Sequence, residues 1–376
     1  MSIFQSIKKI ILYICSRNFV WTVPKGIDVV VLGETGSFRL IPYLGNNVSF
    51  FIIKYEKYIY IKYIFKSVIT CKTYKRDEIA LNYFINIIKR VDPCLIITNV
   101  DNSPFLWKLD LILSQKIKFL TVQNGTHLLG ASESTPEDYD VNRFLVYAPY
   151  YSNFACFSQF DFDYYNKFGA VIDNYYPIGS MSISSHISNY KRVTKSFGIC
   201  IVANGRNKRK SFLKIIDYIS KYIEKRDVKV CIATKYMYDE DGIKEHVLEF
   251  DKLLKFNNVI VVCRLGNSSN YASDLSEVTI GDGSTLLRQT FARGNKIYPM
   301  NFVDPILSPP YDLLGFSLSP TYKEFESHLN YLLSIDSEEY IEKNKKIMNY
   351  LDTFDKDNPP EKKFEGIVTK LIADCK

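Results

Sequence analysis

The sequence predicts an α/β protein made of two halves, each a parallel sheet with helices packed on it. Three observations carry this. Short apolar runs of strand length recur along the chain, as in DVVVL, CLIIT, KFLTV, GICIV, VKVCIA and VIVV. Segments with apolar residues at helical spacing alternate with them, the pattern of parallel βαβ units. A polar stretch without periodicity, SISSHISNYKRVTKS, separates the two series near residues 182–196 and reads as a linker.

In chain order, GIDVVVLGETGSFRLIPYL reads as a buried strand, a turn at Gly33–Gly36 and a helix. NNVSFFIIKYEKYIYIKYIF is rich in β-formers and ambiguous between strand and helix. RDEIALNYFINIIKRV places Ile79, Leu81, Phe84, Ile87 and Ile88 at helical spacing and ends before the strand DPCLIITNV. DNSPFLWKLDLILSQ is a loop and a helix, and IKFLTVQN the next strand. In the second half FGICIVAN, VKVCIAT, NNVIVVC, SEVTIG and NKIYPMNF are strands. SFLKIIDYISKYIEKR and EHVLEFDKLLKF are helices, as is STLLRQTFARG, with Ser284 as N-cap and Gly294 closing it.

The 376 residues suit two domains of ordinary size, and 47% hydrophobic with 24% charged residues is a globular composition. A net charge of +7 fits an anionic small molecule or a membrane surface as well as a nucleic acid. No nucleic-acid-binding signature is present, so nucleic acid is excluded as a partner. The eight cysteines are scattered without a C-x-x-C pair and read as reduced core residues of a cytoplasmic protein. With only four histidines, spread along the chain, no metal site is expected. No uncharged apolar run reaches membrane-spanning length. The first segment, MSIFQSIKKIILYICSRNFV, reads either as a helix packed on the core or as an interfacial helix on the inner membrane surface.

Four clusters carry candidate chemistry. Gly281-Asp-Gly-Ser-Thr285 opens a helix, where Gly283 permits close approach and Ser284 and Thr285 add hydroxyls to exposed first-turn N–H groups. That is a diphosphate-binding pattern, with Arg288 one turn further in to add positive charge; an ordinary capped helix start is the bland alternative. The loop Asn204-Gly-Arg-Asn-Lys-Arg-Lys210 follows the first strand of the second half, at the sheet edge where α/β proteins bind ligands. Asn204, Arg206 and Lys208 there suit phosphate, or else form a solvated charge run. The cluster Gln123-Asn124-Gly125-Thr126-His127 ends a strand, with His127 a general-base candidate or a structural histidine. Asp101 and Asn102 end the preceding strand and should neighbour that turn. Glu133, on an acidic loop, is a further base candidate.

Together VDNSPFLWKL…KFLTVQNGTH, CFSQFDFDYYNKFGAVIDNYYPIGSM and DLSEVTIGDGSTLLRQTFARGNKIYP resemble bacterial surface carbohydrate biosynthesis proteins, which are similar to glycosyltransferases of the GT-B architecture. The resemblance spans roughly residues 90–300. It implies two Rossmann-like domains facing a cleft: an acceptor-side domain over 1–181, the linker, and a nucleotide-sugar domain over 197–350. Residues 351–376 would form a helix crossing back to the first domain. Donor phosphate would meet Gly283, Ser284 and Thr285. Where such helices usually carry Glu, this chain has Gln289, and Thr126 intervenes before His127 where related chains place Arg or His.

The implied activity is transfer of a sugar from a nucleotide-activated donor to a lipopolysaccharide or capsule acceptor, lipid-linked or oligosaccharide, at the inner membrane face. The donor nucleotide, CMP, UDP or GDP, stays open, and no cofactor is needed beside it. The catalytic candidates are His127, Asp101 and Glu133. Arg206, Lys208, Arg288 and Gln289 flank the donor; Asn102, Gln123, Asn124 and Gly125 wall the cleft. A sugar-nucleotide 2-epimerase of the same architecture and a non-catalytic scaffold are the alternatives.

Overall fold

The computed structural model describes residues 18–33, 39–54, 58–71, 76–126, 149–182, 194–202, 209–234, 250–262, 268–282, 284–302, 309–353, 355 and 357–375. The N-terminal segment up to residue 17 and most of the expected linker therefore lie outside the described residues, as do the first five residues of the expected helix EHVLEFDKLLKF, whose residues 250–254 are helical.

In the first half, β1 (Asn18–Val20) pairs with β4 (Tyr58–Tyr60) beside the main sheet, while β2 (Val29–Leu32) and β3 (Phe50–Ile53) enter it. Two helices follow, α1 (Ile61–Thr70) and α2 (Arg76–Val91), then β5 (Leu95–Thr98), α3 (Pro104–Leu113) and β6 (Lys118–Val122). After β7 (Tyr150–Tyr151) come β8 (Phe154–Cys156), α4 (Gln159–Lys167), β9 (Val171–Ile172) and β10 (Tyr175–Pro177).

The main sheet has the order β10-β8-β6-β5-β2-β3 and is parallel throughout. Its two faces bury separate clusters. Val30, Leu32, Ile96 and Phe119 face α2 and α3 residues, and Val29, Val31, Leu95 and Ile97 face the other way. Burial on both sides is why the central strands are apolar at most positions, Thr98 and Thr121 being the buried polar exceptions in β5 and β6.

The ambiguous run 46–65 resolves, in its described residues, into β3, β4 and the first half of α1. The helix expected after Gly36 is, among the described residues, only a short 3-10 turn at Ile41–Tyr43. Pro42 sits inside that turn and supplies no N–H to continue a helical ladder.

The second half contains β11 (Phe197–Val202), α5 (Arg209–Ile223), β12 (Val230–Ala233) and β13 (Val259–Val262). Then follow α6 (Ser268–Asp274), β14 (Ser276–Gly281), α7 (Thr285–Ala292) and β15 (Lys296–Pro299). Its sheet is parallel in the order β13-β12-β11-β14-β15. The strand order reverses between β11 and β14, so their carboxyl ends form the crevice in which doubly wound sheets receive ligands. The backbones approach closely there. A Cβ on Gly281 would lie 3.2 Å from Val202 Cβ.

Helices α8 (Tyr322–Ser334), α9 (Ser337–Leu351) and α10 (Pro360–Ala373) complete the chain. Phe325, Leu329 and Leu332 of α8 and Tyr340, Met348 and Leu351 of α9 join the second core. Helix α10 leaves that half: its Phe364, Val368, Leu371 and Ile372 pack on Val29, Val31 and Ile97 of the first sheet. In the opposite direction, Phe160 of α4 is buried among second-half residues. Each half thus lends a helix face to the other. No helix among the described residues is long and apolar enough to cross a membrane.

Candidate functional site

Strand β14 ends at Gly281, and Ser284 caps α7 with its hydroxyl accepting from the Leu286 N–H at 3.3 Å. Gly294, with φ +84°, closes the helix after Arg293. The backbone N–H groups of the first turn are thereby presented at the carboxyl edge of the second sheet, beside the end of β11. That arrangement favours an anion.

The first half meets this helix directly. The Thr126 N–H, in the turn after β6, donates to Thr285 Oγ1 at 2.8 Å. The amino end of α7 and the Gln-Asn-Gly turn are therefore two walls of one seam.

The turn is held from behind. Gln123 is buried, its Nε2 donates to Gly125 O (3.0 Å) and Asp161 Oδ1 (2.8 Å), and its Oε1 accepts from the Phe157 N–H (2.7 Å). Both ends of the amide are spent inside the protein, so Gln123 shapes the wall and does not face a ligand. Gly125 is partly exposed and Asn124 exposed at the rim, with Asn102 partly exposed at the end of the neighbouring strand.

Three expectations change here. Arg288, expected near phosphate, is fully buried and pairs with Asp161 through Nη1–Oδ1 (2.9 Å) and Nη2–Oδ2 (2.8 Å). Its Nε donates to Leu351 O at 3.1 Å, and Nη1 reaches Thr126 Oγ1 at 3.2 Å. Nη2 also bonds Leu351 O and, at 3.4 Å, Ser158 Oγ. Every guanidinium N–H has a partner in the protein, and none is left for a phosphate. Burial opposes the charge, but Asp161 more than offsets it and holds the guanidinium protonated above its ordinary range.

Gln289, expected at a sugar or ribose hydroxyl, is buried and donates from Nε2 to Ser180 Oγ at 2.7 Å. It joins α7 to the first half. Asp101, expected as a base, is fully buried, and its backbone oxygen accepts from Trp107 Nε1 (2.9 Å) and Tyr151 Oη (2.6 Å). Trp107 and Tyr151 belong to an apolar cluster behind the sheet edge, which keeps Asp101 away from a solvent-borne acceptor.

His127, Glu133, Asn204, Arg206, Lys208 and Gly283 lie outside the described residues. Among the described residues no cluster of His, Cys, Asp and Glu is placed to hold a metal ion.

Asp161, Ser158, Ser180 and Thr126 matter to this seam and stood outside the expected set. Ser158-x-x-Asp161 carries a legible signal, the helix-start spacing in which Ser158 N–H donates to Asp161 Oδ2 at 3.1 Å. Nothing local marks the same carboxylate as the partner of Arg288. Asp352, just past α9, sits buried against this group. Burial pushes its carboxyl up to about 7, only partly countered by Arg288.

No protein-family model matches the sequence, and no curated protein matches it. Solved structures do share its fold. The UDP-GlcNAc 2-epimerase of Methanocaldococcus jannaschii, in complex with UDP-GlcNAc and UDP, superposes with a TM-score of 0.54 at 14% identity, covering 91% of this chain and 98% of that one. A glycosyltransferase from Rickettsia africae gives 0.55 at 12% identity, covering 92% and 99%. The UDP complex of Staphylococcus aureus MnaA gives 0.56 at 10% identity, covering 91% and 95%. The protein therefore has the GT-B-like fold, two Rossmann-like domains across a seam.

Proposed function

We propose that the protein is an enzyme acting on a nucleotide-activated sugar, and that it transfers the sugar to a bacterial surface glycan. The reading rests on one observation above all. The anion-favouring amino end of α7 stands at the strand-order reversal of the second sheet and bonds the polar turn of the first through Thr126 and Thr285.

In the proposed reaction the donor diphosphate lies on the first turn of α7 at Ser284 and Thr285, with Arg206 and Lys208 supplying charge from the loop after β11. The bond from the anomeric carbon to the phosphate oxygen breaks, and the leaving diphosphate takes the electron pair. Fixed N–H groups stabilise the charge developing there. The acceptor hydroxyl bonds to the anomeric carbon and gives its proton to a base on the first-domain side. His127, next in sequence to Thr126, is the leading candidate, with Glu133 second. Asn102, Asn124 and Gly125 border the acceptor.

The second reading is 2-epimerisation, favoured by the epimerases among the structural neighbours. It needs no acceptor. Incubation with UDP-GlcNAc and with other UDP-, GDP- and CMP-sugars, without acceptor, separates the two by product analysis. A C2-epimer or its elimination product supports epimerisation, and turnover only with acceptor supports transfer. Nucleotide binding without turnover over the whole panel supports a scaffold. No binding of any nucleotide sugar, or Ser284→Ala and His127→Ala variants with unchanged turnover, overturns the site.

A further inference from the structure

Helix α1 is turned the wrong way for water. Its buried positions are Tyr63 and Ser67, and the serine is satisfied there: its hydroxyl donates to Tyr63 O at 2.5 Å and accepts from Asn86 Nδ2 at 3.1 Å. The opposite arc carries Ile64, Phe65, Val68 and Ile69, all exposed, with Phe65 at 63% and Ile69 at 80%. A helix covering a core normally buries the apolar arc and exposes the polar one. Beside it, β1 pairs with β4 so that Val20 lies opposite Tyr60, the residue before α1. Phe19 and Trp21 flank Val20, exposed at 53% and 63%. An apolar surface this concentrated marks a docking face.

We propose that this face, Phe19 and Trp21 with the outer arc of α1, docks the protein on an anionic lipid bilayer. Charge selects that occupant. Lys62 and Lys66 are exposed on the flank of the apolar arc, and α1 has no acidic residue. From Phe50 to Arg76 the sequence carries seven basic side chains against one acidic, Glu56. An anionic bilayer offers hydrocarbon to the arc and negative headgroups to the lysines at the same depth. A second copy of the chain would bring the same positive flank against itself. The exposed tryptophan suits the headgroup boundary, where an amphipathic ring has both media within reach.

The test uses the full chain in flotation with phosphatidylcholine vesicles, with and without phosphatidylglycerol. Binding is expected only where the anionic lipid is present, and it should weaken with salt. Phe65→Glu with Ile69→Glu should lower partitioning at least about tenfold. Replacing Lys62 and Lys66 by Gln should lower it about fivefold for each lysine.

Trp21 is the built-in reporter, because the other tryptophan, Trp107, is buried. Wild-type emission should shift to the blue on vesicles, and Trp21→Phe should bind but lose the shift. These readouts decide the matter even if the double glutamate variant fails to fold. Absence of vesicle binding overturns the proposal. So does unchanged binding by the glutamate and glutamine variants, which would place the contact elsewhere. A dimer in light scattering that the glutamate variant splits, without vesicle binding, also overturns it and makes the face a self-association surface.

Discussion

Arg288 of α7 and Asp161 of α4 hold each other across the seam by two parallel hydrogen bonds of 2.9 and 2.8 Å, both side chains almost wholly out of water. The guanidinium also reaches Thr126, Ser158 and the carbonyl of Leu351, so one side chain ties together the polar turn, the start of α4 and the end of α9.

Removing one member should therefore cost far more than a surface ion pair. Arg288→Met or Asp161→Leu alone leaves an uncompensated buried charge, and about 3–5 kcal/mol of stability should be lost in denaturant titrations. The double variant should lose less than the sum. Additive losses would show that the two side chains do not act as a pair. Arg288→Lys should not rescue, because an ammonium cannot reproduce the two-point geometry.

Asp352 should make stability depend on pH with a definite sign. Its folded carboxyl is raised from 3.8 to about 7, chiefly by burial. Between these values the folded chain holds a proton that the unfolded chain has released. Stability from this group is thus full below about 4 and is lost as pH rises toward 7. Asp352→Asn should match wild type near pH 4 and exceed it at pH 8, by about 1–4 kcal/mol. A difference that does not grow with pH would refute the assignment. Asp110, also raised to about 7 by burial, adds a trend of the same sign that the variant leaves in place.

Ser284→Ala should lower stability by about 1 kcal/mol through loss of the α7 cap. Thr285→Val keeps the shape but removes the acceptor for the Thr126 N–H, at a cost of about 1–2 kcal/mol. If Ser284 touches diphosphate, nucleotide-sugar affinity should fall in Ser284→Ala beyond what the stability loss explains. Calorimetry well below the melting temperature reads the two separately.

Gly179→Ala should be among the most damaging single changes. Gly179 adopts φ +89°, and a Cβ there would lie 2.2 Å from Thr353 O and 3.1 Å from Pro360 Cγ. The loop into α10 would have to move away from the first half. A loss above about 2 kcal/mol, or failure to fold, is expected in thermal melts. An unchanged melting temperature would mean that this crossing is not packed as described.

Much of the architecture was legible before any coordinates. β2, β5, β6, β11 and β12 are short runs of apolar, largely β-branched residues, and α2 and α5 show helical spacing throughout. These are local signals, since a strand covered on both faces must be apolar whatever covers it. Among the helices after residue 320, α8 and α9 have no counterpart in the sequence reading, although Thr321 and Glu324 form a capping box at the start of α8. Their significance lies in packing on the second sheet, which no local pattern reports.

The sequence by itself determined the kind of protein this is: parallel α/β halves, a capped helix at a glycine-rich strand end, and a polar turn at the end of β6. Each follows from neighbours a few residues apart, within reach of backbone geometry and capping chemistry. Only the tertiary structure decided what the charged and amide side chains do. Arg288 meets Asp161 from 127 positions away, and Gln289 meets Ser180 from 109. Such pairings depend on how two folded halves are seated, and burial then makes a full set of partners obligatory. That is why Arg288 reads as a phosphate ligand in the sequence and as an interdomain tie in the fold. For the same reason α1, ambiguous as a string of residues, becomes in three dimensions a helix with its apolar arc in solvent.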